Sequence, residues 1–506
     1  YGLSSNLSIA SGATVWARGG INGNVQNNGL FLNSAENVAS IDNGHSFTQS
    51  ATGNLGIWLG SPLTVGGAAN LNGQLSVLGV RGGYVTKARE TLLTAFGGVS
   101  GTFASLRGAP NVFLQASLAY DPNNVFLDIT RIDVSRAVAA LALPRPTQAS
   151  AVRVEAAMSA IDGQLAGQAT TGIGQGFIDG AGALQRSASV AEADASLRSL
   201  SGDLHAVADA MTYDVIGAGR RALGARAEAR ASGPAPGQDW YESLGAPGQG
   251  ALGVARYQAD GWLLGSDGQL GRQGFAGMAF GEARASGGAQ TGRDRGRDRQ
   301  TQALAYAGSD WNGTHVVGLL GAGRFDRQID RGLLVGGKMQ GVATGYAGRY
   351  FTASVETGHR IGGPHAWVSP YAGMEFTRLQ RDGFIELGAE GFGLTTRDSR
   401  TDRLQALAGA RAYRGWENST LGTVSLQAYA EWQRTLDGRG LDVDASFVGV
   451  DSWAPLALAE RTSTHLGVAL ELSPWRTAML SFGYDLRNGS DERSDRQWSS
   501  RLHVGF

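Results

Sequence analysis

The sequence predicts an all-β membrane barrel of about twelve antiparallel strands with a pore-threading α-helix, preceded by a β-solenoid (β-helix-like) stem. Three observations carry this expectation. Residues 238–506 alternate an apolar face with a charged one, strand after strand. Residues 189–229 repeat their apolar side chains at helical spacing, and residues 1–134 are short apolar runs between Asn/Gly turns.

A chain of 506 residues exceeds one ordinary domain, and its texture divides it into 1–134, 135–237 and 238–506. The 43 basic and 44 acidic residues exclude nucleic-acid binding through a basic surface. Gly, with 77 copies, is abundant and Pro, with 12, is scarce, which suits a repetitive β protein better than a disordered one. Cys is absent, as suits a chain that crosses an oxidising compartment unfolded and threads a narrow pore, although many proteins simply lack it. No apolar run reaches the roughly 18 residues that a transmembrane helix requires, so any membrane crossing must use strands. The start at Tyr1, without Met or an apolar signal core, reads as a fragment of a longer exported precursor.

Within 1–134, Ile21-Asn22-Gly23-Asn24-Val25, Leu63-Thr64-Val65 and Leu71 to Leu78 alternate apolar residues between turn signals, as coils of a solenoid would. The repeat has no fixed period, and a flat sandwich stays open as an alternative. After Pro144-Arg145-Pro146 the chain becomes Ala-rich, and seven glycines between Gly163 and Gly182 argue against a helix there. From Ser189 to Ala229 the spacing of Leu197, Leu200, Leu204, Val207, Met211, Val215 and Leu223 predicts one helix. At 1.5 Å per residue it would be about 60 Å long, enough to cross a bilayer. Arg198, Asp203, Asp209, Asp214, Arg220 and Arg221 then need a polar-walled channel. Without the barrel, the same segment would read as an amphipathic helix on a soluble domain. Ser232 to Gly237 reads as a linker.

In the last segment Leu466, Val468, Leu470 and Leu472 alternate with His465, Gly467, Ala469 and Glu471, and Val424 to Trp432 does the same. Apolar outside and charged inside is the pattern of a barrel in lipid with a wet lumen. Glu431, Glu471, Asp485, Arg487 and Arg501 are the expected lumen-facing charges. Short links near 268–274, 309–313, 362–365, 414–418 and 473–475 alternate with long polar links near 246–255, 285–299, 326–337, 381–400, 437–458 and 488–496, which gives twelve strands of about 9–12 residues. Short turns of such barrels are periplasmic and long loops extracellular. The charge-balanced run Arg293 to Arg299 reads as a solvated loop.

Three local features resemble the classical (type Va) autotransporters. Leu200-Ser201-Gly202-Asp203-Leu204-His205-Ala206 is similar to that family's pore-helix signature, with Leu200, Ser201, Gly202, Asp203 and His205 at its marked positions. Trp240-Tyr241 and Gly261 to Asp267 resemble its first hairpin, and Leu502, Val504 and Phe506 resemble the aromatic-ended signal read by the barrel assembly machinery. Gly82 to Phe103 and Ala119 to Leu127 are similar to the junction that ends many passengers, including those of the subtilisin-like branch. The resemblance implies an outer-membrane translocator that exports and anchors its own passenger at the cell surface. It further implies a monomer that meets outer-membrane lipid, the assembly machinery and periplasmic chaperones, binds no nucleic acid and needs no cofactor.

Candidate enzyme chemistry is sparse, and the expectation is that this chain is not itself an enzyme. His45 is the only histidine before His205, reads as a solvated turn residue, and no nucleophile elbow accompanies it. Seven scattered histidines without cysteine leave no metal-ligand spacing. Some autotransporters cut themselves by Asn cyclisation, but no Asn lies between Asn124 and Asn312; Asp194 or Asp203 could substitute, though both read better as helix-surface charges. The alternative function is a surface-anchored enzyme or adhesin whose activity lies in the stem or in a head before Tyr1, such as a subtilisin-like serine protease.

Overall fold

A computed structural model describes residues 3–504 except 80, 109–110, 169–171, 232–238, 250–254, 290–293, 419–421, 439–443, 456–461, 476–477 and 490–493. The expected linker and Phe506 therefore lie outside the described residues. Two compact units result, one of residues 1–198 with 334–339 and one of the remainder.

The first unit begins with a three-faced parallel solenoid. One face stacks Leu7–Ile9, Val25–Asn27, Phe47–Gln49, Ala69–Leu71 and Val99–Gly101, and a second stacks Thr14–Ala17, Leu30–Asn33, Asn54–Trp58, Gln74–Leu78 and Ser105–Arg107. Register puts like on like: Val25, Phe47 and Ala69 form one buried ladder, and Phe31, Leu55 and Leu75 another. Phe31 and Phe47 meet edge to face at 5.8 Å inside. Buried amides close the corners, since Asn27 donates to Gln49 (2.8 Å) and Gln49 donates to the carbonyls of Asn72 (2.6 Å) and Gln74 (2.9 Å). Turn carbonyls that water cannot reach are thereby satisfied. Coils differ in length because the loops between faces differ, which is why no fixed period shows in the sequence.

An antiparallel hairpin, Leu114–Tyr120 with Asn124–Arg131, ends the parallel stack by pairing onto Lys87–Ala95. Its turn is set by Asp121, whose carboxylate accepts the N–H groups of Asn123 and Asn124. Helices α1 (Val134–Ala140), α2 (Arg145–Leu165), α3 (Gln175–Gln185) and α4 (Val190–Ser199) follow. Arg131 ties the hairpin to α2 through Glu155 (2.7 Å) and Asp162 (2.8 Å), and Tyr84 donates to Asp162 as well. The glycine-rich stretch contradicts expectation by forming α3. Phe177, Ile178, Ala181 and Leu184 are buried there, and a side chain at Gly182 would strike the Gly83 carbonyl. Close packing, sealed by Gln185 bonding both backbone groups of Val85, overrides the poor propensity.

A second correction concerns the long helix. It is broken: α4 stops at Ser199 and α5 runs from Asp203 to Ala231, because Gly202 takes a left-handed φ of 79° that no helix accepts.

The second unit is the barrel. Among the described residues its strands are Asp239–Gln249, Ala255–Leu270, Gly274–Ala289, Arg295–Trp311, Thr314–Val335, Lys338–His359, Ala366–Arg381, Ser399–Asn418, Gly422–Asp437, Thr462–Trp475, Ala478–Gly489 and Ser494–Val504. Each pairs with its sequence neighbour in the sheet order, and the first and last lie in contact, so twelve strands close. Leu264, Leu320, Phe351, Val368, Leu466 and Val468 are exposed on the outer wall, whereas Glu356, Glu375, Arg411, Glu431 and Glu471 are buried inside. No described helix is long and apolar enough to cross a membrane. The exposed apolar side chains of the outer wall stand on the strands, as a lipid-facing barrel requires.

Several strands exceed the expected length. Arg324, Asp326, Gln328 and Asp330 are exposed while Phe325, Arg327, Ile329 and Arg331 are buried, so the region expected as a long link continues the wall. Two-residue alternation persists there, but the outer face turns polar where lipid ends. For the same reason Arg295 to Arg299, expected as a loop, opens the fourth strand with Asp298 inward. On the long-loop side, Phe384–Ile385, Leu394–Thr396, Asp444–Phe447 and Val450–Pro455 build a small antiparallel sheet within links expected as irregular.

Candidate functional site

The site is the barrel lumen with α5 inside it. Charges on α5 are segregated along most of its axis: Asp203, Asp209 and Asp214 lie in the first half, and Arg220, Arg221 and Arg226 in the second, with Glu228 the one acid among them. The wall carries the complement. Arg327, wholly buried on the fifth strand, pairs with Asp209 and with Asp298 (3.2 Å) and also donates to Thr212. Arg487 reaches Asp214 at 2.7 Å. Lower down, Arg220 meets Glu356 (3.4 Å), Glu375 (3.2 Å) and Glu431 (2.6 Å), which project from three different strands. Tyr371 donates to the other oxygen of Glu431 at 2.9 Å.

The last turns of α5 are held twice. Arg226 pairs with Asp267 and lies 4.8 Å from the Trp240 ring, while Trp240 donates to Tyr306 (3.0 Å) and Tyr306 to Asp267 (2.7 Å). Glu228 lies 3.6 Å from His315, Arg360 and Arg411, and Arg360 donates to its backbone carbonyl at 2.7 Å. Arg360 stands beside a short turn. The C-terminal end of α5 is therefore at the short-turn side and its start at the long-loop side. A reversed helix would set aspartates against wall carboxylates, so the charges fix direction as well as position.

At the long-loop end Leu200 and Ser201 are buried, Gly202 makes the break, and Asp203 begins α5. His205 is fully buried, 2.8 Å from Glu386 and 3.2 Å from the Tyr346 hydroxyl, with its ring stacked 4.1 Å from Phe384. Arg331 grips both oxygens of Glu386 (2.7 and 2.8 Å) and donates to the Ser199 carbonyl (3.1 Å). Burial alone would raise the Glu386 carboxyl, but the Arg331 charge and the hydrogen bonds from Arg331 and His205 outweigh it and hold it well below the usual carboxylate range.

A glycine-broken helix locked in a twelve-stranded barrel invites comparison with known proteins. The autotransporter beta-domain family matches residues 222–485, more than half of the chain. The chain belongs to the autotransporters. Its barrel is a type V secretion translocator of the outer membrane. It is similar to the translocator domain of the autotransporter NalP from Neisseria meningitidis, with 17% identity over 58% of this chain and 98% of that one and a TM-score of 0.45. The beta domain of the Bordetella autotransporter BrkA matches with 18% identity over 54% of this chain and 100% of that one, TM-score 0.40. The transport unit of AIDA-I from Escherichia coli matches with 14% identity over 53% and 90%, TM-score 0.37. No curated protein matches the chain.

Of the lumen charges expected in this autotransporter, Glu431 holds Arg220, and Glu471 accepts from Ser425 and Gln427. Asp485 accepts from Tyr429 and Arg487 holds Asp214. Arg501, Leu502 and Val504 are placed as backbone of the last strand, Arg501 opposite Ser481. Asp194 accepts from Thr147 and pairs with Arg198 (2.6 Å), and His45 contacts Asn22 at a solenoid corner. Sequence reading missed Arg327, Glu356, Glu375 and Glu386. Glu356 and Glu375 sit at inward positions of alternating strands and could have been found by parity; Glu386 lies in a loop and carries no such signal.

Proposed function

We propose that α5 in the lumen is the state reached after export: the passenger, including the solenoid stem, stands at the cell surface, and α5 stays behind as anchor and plug. The single observation that carries this reading is the direction of α5. It enters at the long-loop end and finishes at the short-turn end, so the chain before it leaves the pore on the extracellular side. Assembly is proposed to run through periplasmic chaperones and the barrel assembly machinery acting on the last strand, giving a monomer in outer-membrane lipid. This chain is proposed to catalyse no reaction itself.

Conductance tests the plug. A barrel beginning near Gln238 should pass ions in planar bilayers far more freely than one beginning near Ala188. Equal conductance would place α5 outside the pore in the membrane and end the reading.

A further inference from the structure

On the outer wall, where the apolar belt meets the polar rim toward the long loops, a trough of about 1000 Å³ crosses the third to eighth strands. Its floor is made of small residues, Ala303, Ala322, Ala347 and Gly348, and Phe280 borders it. Arg324, Arg349 and Arg400 stand along it, all exposed.

Register explains the alignment. Thr301 pairs with Arg324, and Arg349 pairs with Gln380, which pairs in turn with Arg400. One step toward the short turns on the third to sixth strands, the outward residues become Ala303, Ala322 and the exposed Phe280 and Phe351, whereas on the seventh and eighth they are the paired Arg378 and Asp402. On the fifth and sixth strands the wall thus passes from apolar to cationic within one pleat, at Arg324 and Arg349. Arg349 donates to the neutral Gln380 amide at 2.6 Å, which orients the guanidinium without cancelling its charge. Arg400 lies 3.6 Å from Asp402, but both oxygens of that carboxylate are already taken by Arg378 (2.7 and 2.8 Å). Asp382 and Asp398 border the far edge, where carboxylates can accept hydroxyl groups.

We propose that this trough is a binding site for a phosphate-bearing anionic lipid of the leaflet on the long-loop side. The phosphate lies among Arg324, Arg349 and Arg400, and the acyl chains descend over Ala303 and Ala322 beside Phe280 and Phe351. Planar guanidinium groups suit phosphate oxygens, and the small floor leaves room for chains that a wall of Leu would exclude. The site rests on the placement of the barrel in a bilayer and is independent of the export reading.

Native mass spectrometry of the delipidated full chain in non-ionic detergent tests it, using an acylated bisphosphorylated glucosamine disaccharide as probe and phosphatidylcholine as the neutral comparison. The anionic probe should be retained and phosphatidylcholine lost. The combined variant R324Q/R349Q/R400Q should lower retention by on the order of tenfold or more. R284Q/R295Q/R297Q, which removes three exposed arginines outside the trough, should leave it within about twofold. Ala322→Trp fills the floor with every arginine kept and should also lose the probe. Each variant is checked for heat-modifiable mobility, so that loss of the barrel is not mistaken for loss of the site. Equal losses in the two arginine variants, retention in the Ala322→Trp protein, or full displacement of the lipid by inorganic phosphate at equal concentration would each overturn the proposal.

Discussion

The solenoid and the barrel are both built of strands with alternating faces, yet they solve opposite problems. The solenoid turns Phe31, Phe47, Leu55 and Leu75 inward and closes its corners with buried amides. The barrel turns Leu320, Phe351 and Val468 outward and buries Arg220, Arg327, Glu356 and Glu431. One is stabilised by water leaving an apolar interior, the other by lipid outside and paired charge within. Position on the pleat does not say which face is inside; the solvent on each side does.

The largest expected effect sits where that inversion is most extreme. Arg220 is 4% exposed and faces three carboxylates. Replacing it by Ala removes the cation that these buried carboxylates share and leaves Glu356 to Arg411 (2.5 Å), Glu375 to Arg403 (3.5 Å) and Glu431 to Arg221 (3.9 Å), which costs about 3–5 kcal/mol. Urea unfolding in detergent micelles should show the loss, and Glu431→Gln in the same chain should recover part of it, because one stranded charge disappears. A variant as stable as the parent would mean that Arg221, Arg403 and Arg411 suffice to compensate the carboxylates without Arg220.

A smaller effect compares like with like. Leu320 on the barrel is 57% exposed and Trp16 on the solenoid 61%. Leu320→Arg should hinder membrane insertion by about 2–4 kcal/mol, whereas Trp16→Arg should change stability by about 0.5 kcal/mol or less. Folding yield into vesicles reads the first and thermal unfolding of the full chain reads both. If Leu320→Arg inserts as readily as the parent, the outer wall does not face lipid at that level.

These contrasts also explain what was legible in the sequence. Alternation in 466–472 and 424–432 gave the barrel's faces, and the twelve strands could be counted, because inside and outside differ sharply in polarity where lipid is present. Above the lipid that difference vanishes. Asp326 and Asp330 face water outside while Arg327 and Arg331 face inward, so both faces are charged and the strand reads as loop. The helix was visible from its apolar spacing, but its break was not, since Gly202 is one residue whose φ only the fold decides. Helix α3 was hidden by its glycines, of which Gly182 serves packing on Gly83 rather than propensity. The lumen charges could be assigned to a face, yet not to partners: Arg220 and Glu431 lie 211 residues apart, and only barrel closure brings them together.

The smallest effect is at the long-loop end, where Glu386 joins the helix signature to the wall. Its carboxylate accepts from Arg331 through both oxygens, from His205, and from the Leu394 N–H (2.7 Å), while Arg381 flanks the neighbouring Phe384 ring. Because the folded state holds this carboxyl below its unfolded value of about 4.3, its contribution is fully present above that pH and is lost as pH falls through the lower folded value. The contribution of the Glu386 charge should therefore be unchanged by pH between about 7 and 5 and weaken only in stronger acid. Glu386→Gln removes the charge but keeps the shape, and should cost about 1.5–3 kcal/mol at neutral pH, the worth of hydrogen bonds to a charged group. Below pH of about 4 the parent progressively loses the same contribution, so the unfolding midpoints of parent and variant should converge as acid is added. Parallel curves across the whole range would show that Arg331 and His205 hold the helix by some route other than the Glu386 charge.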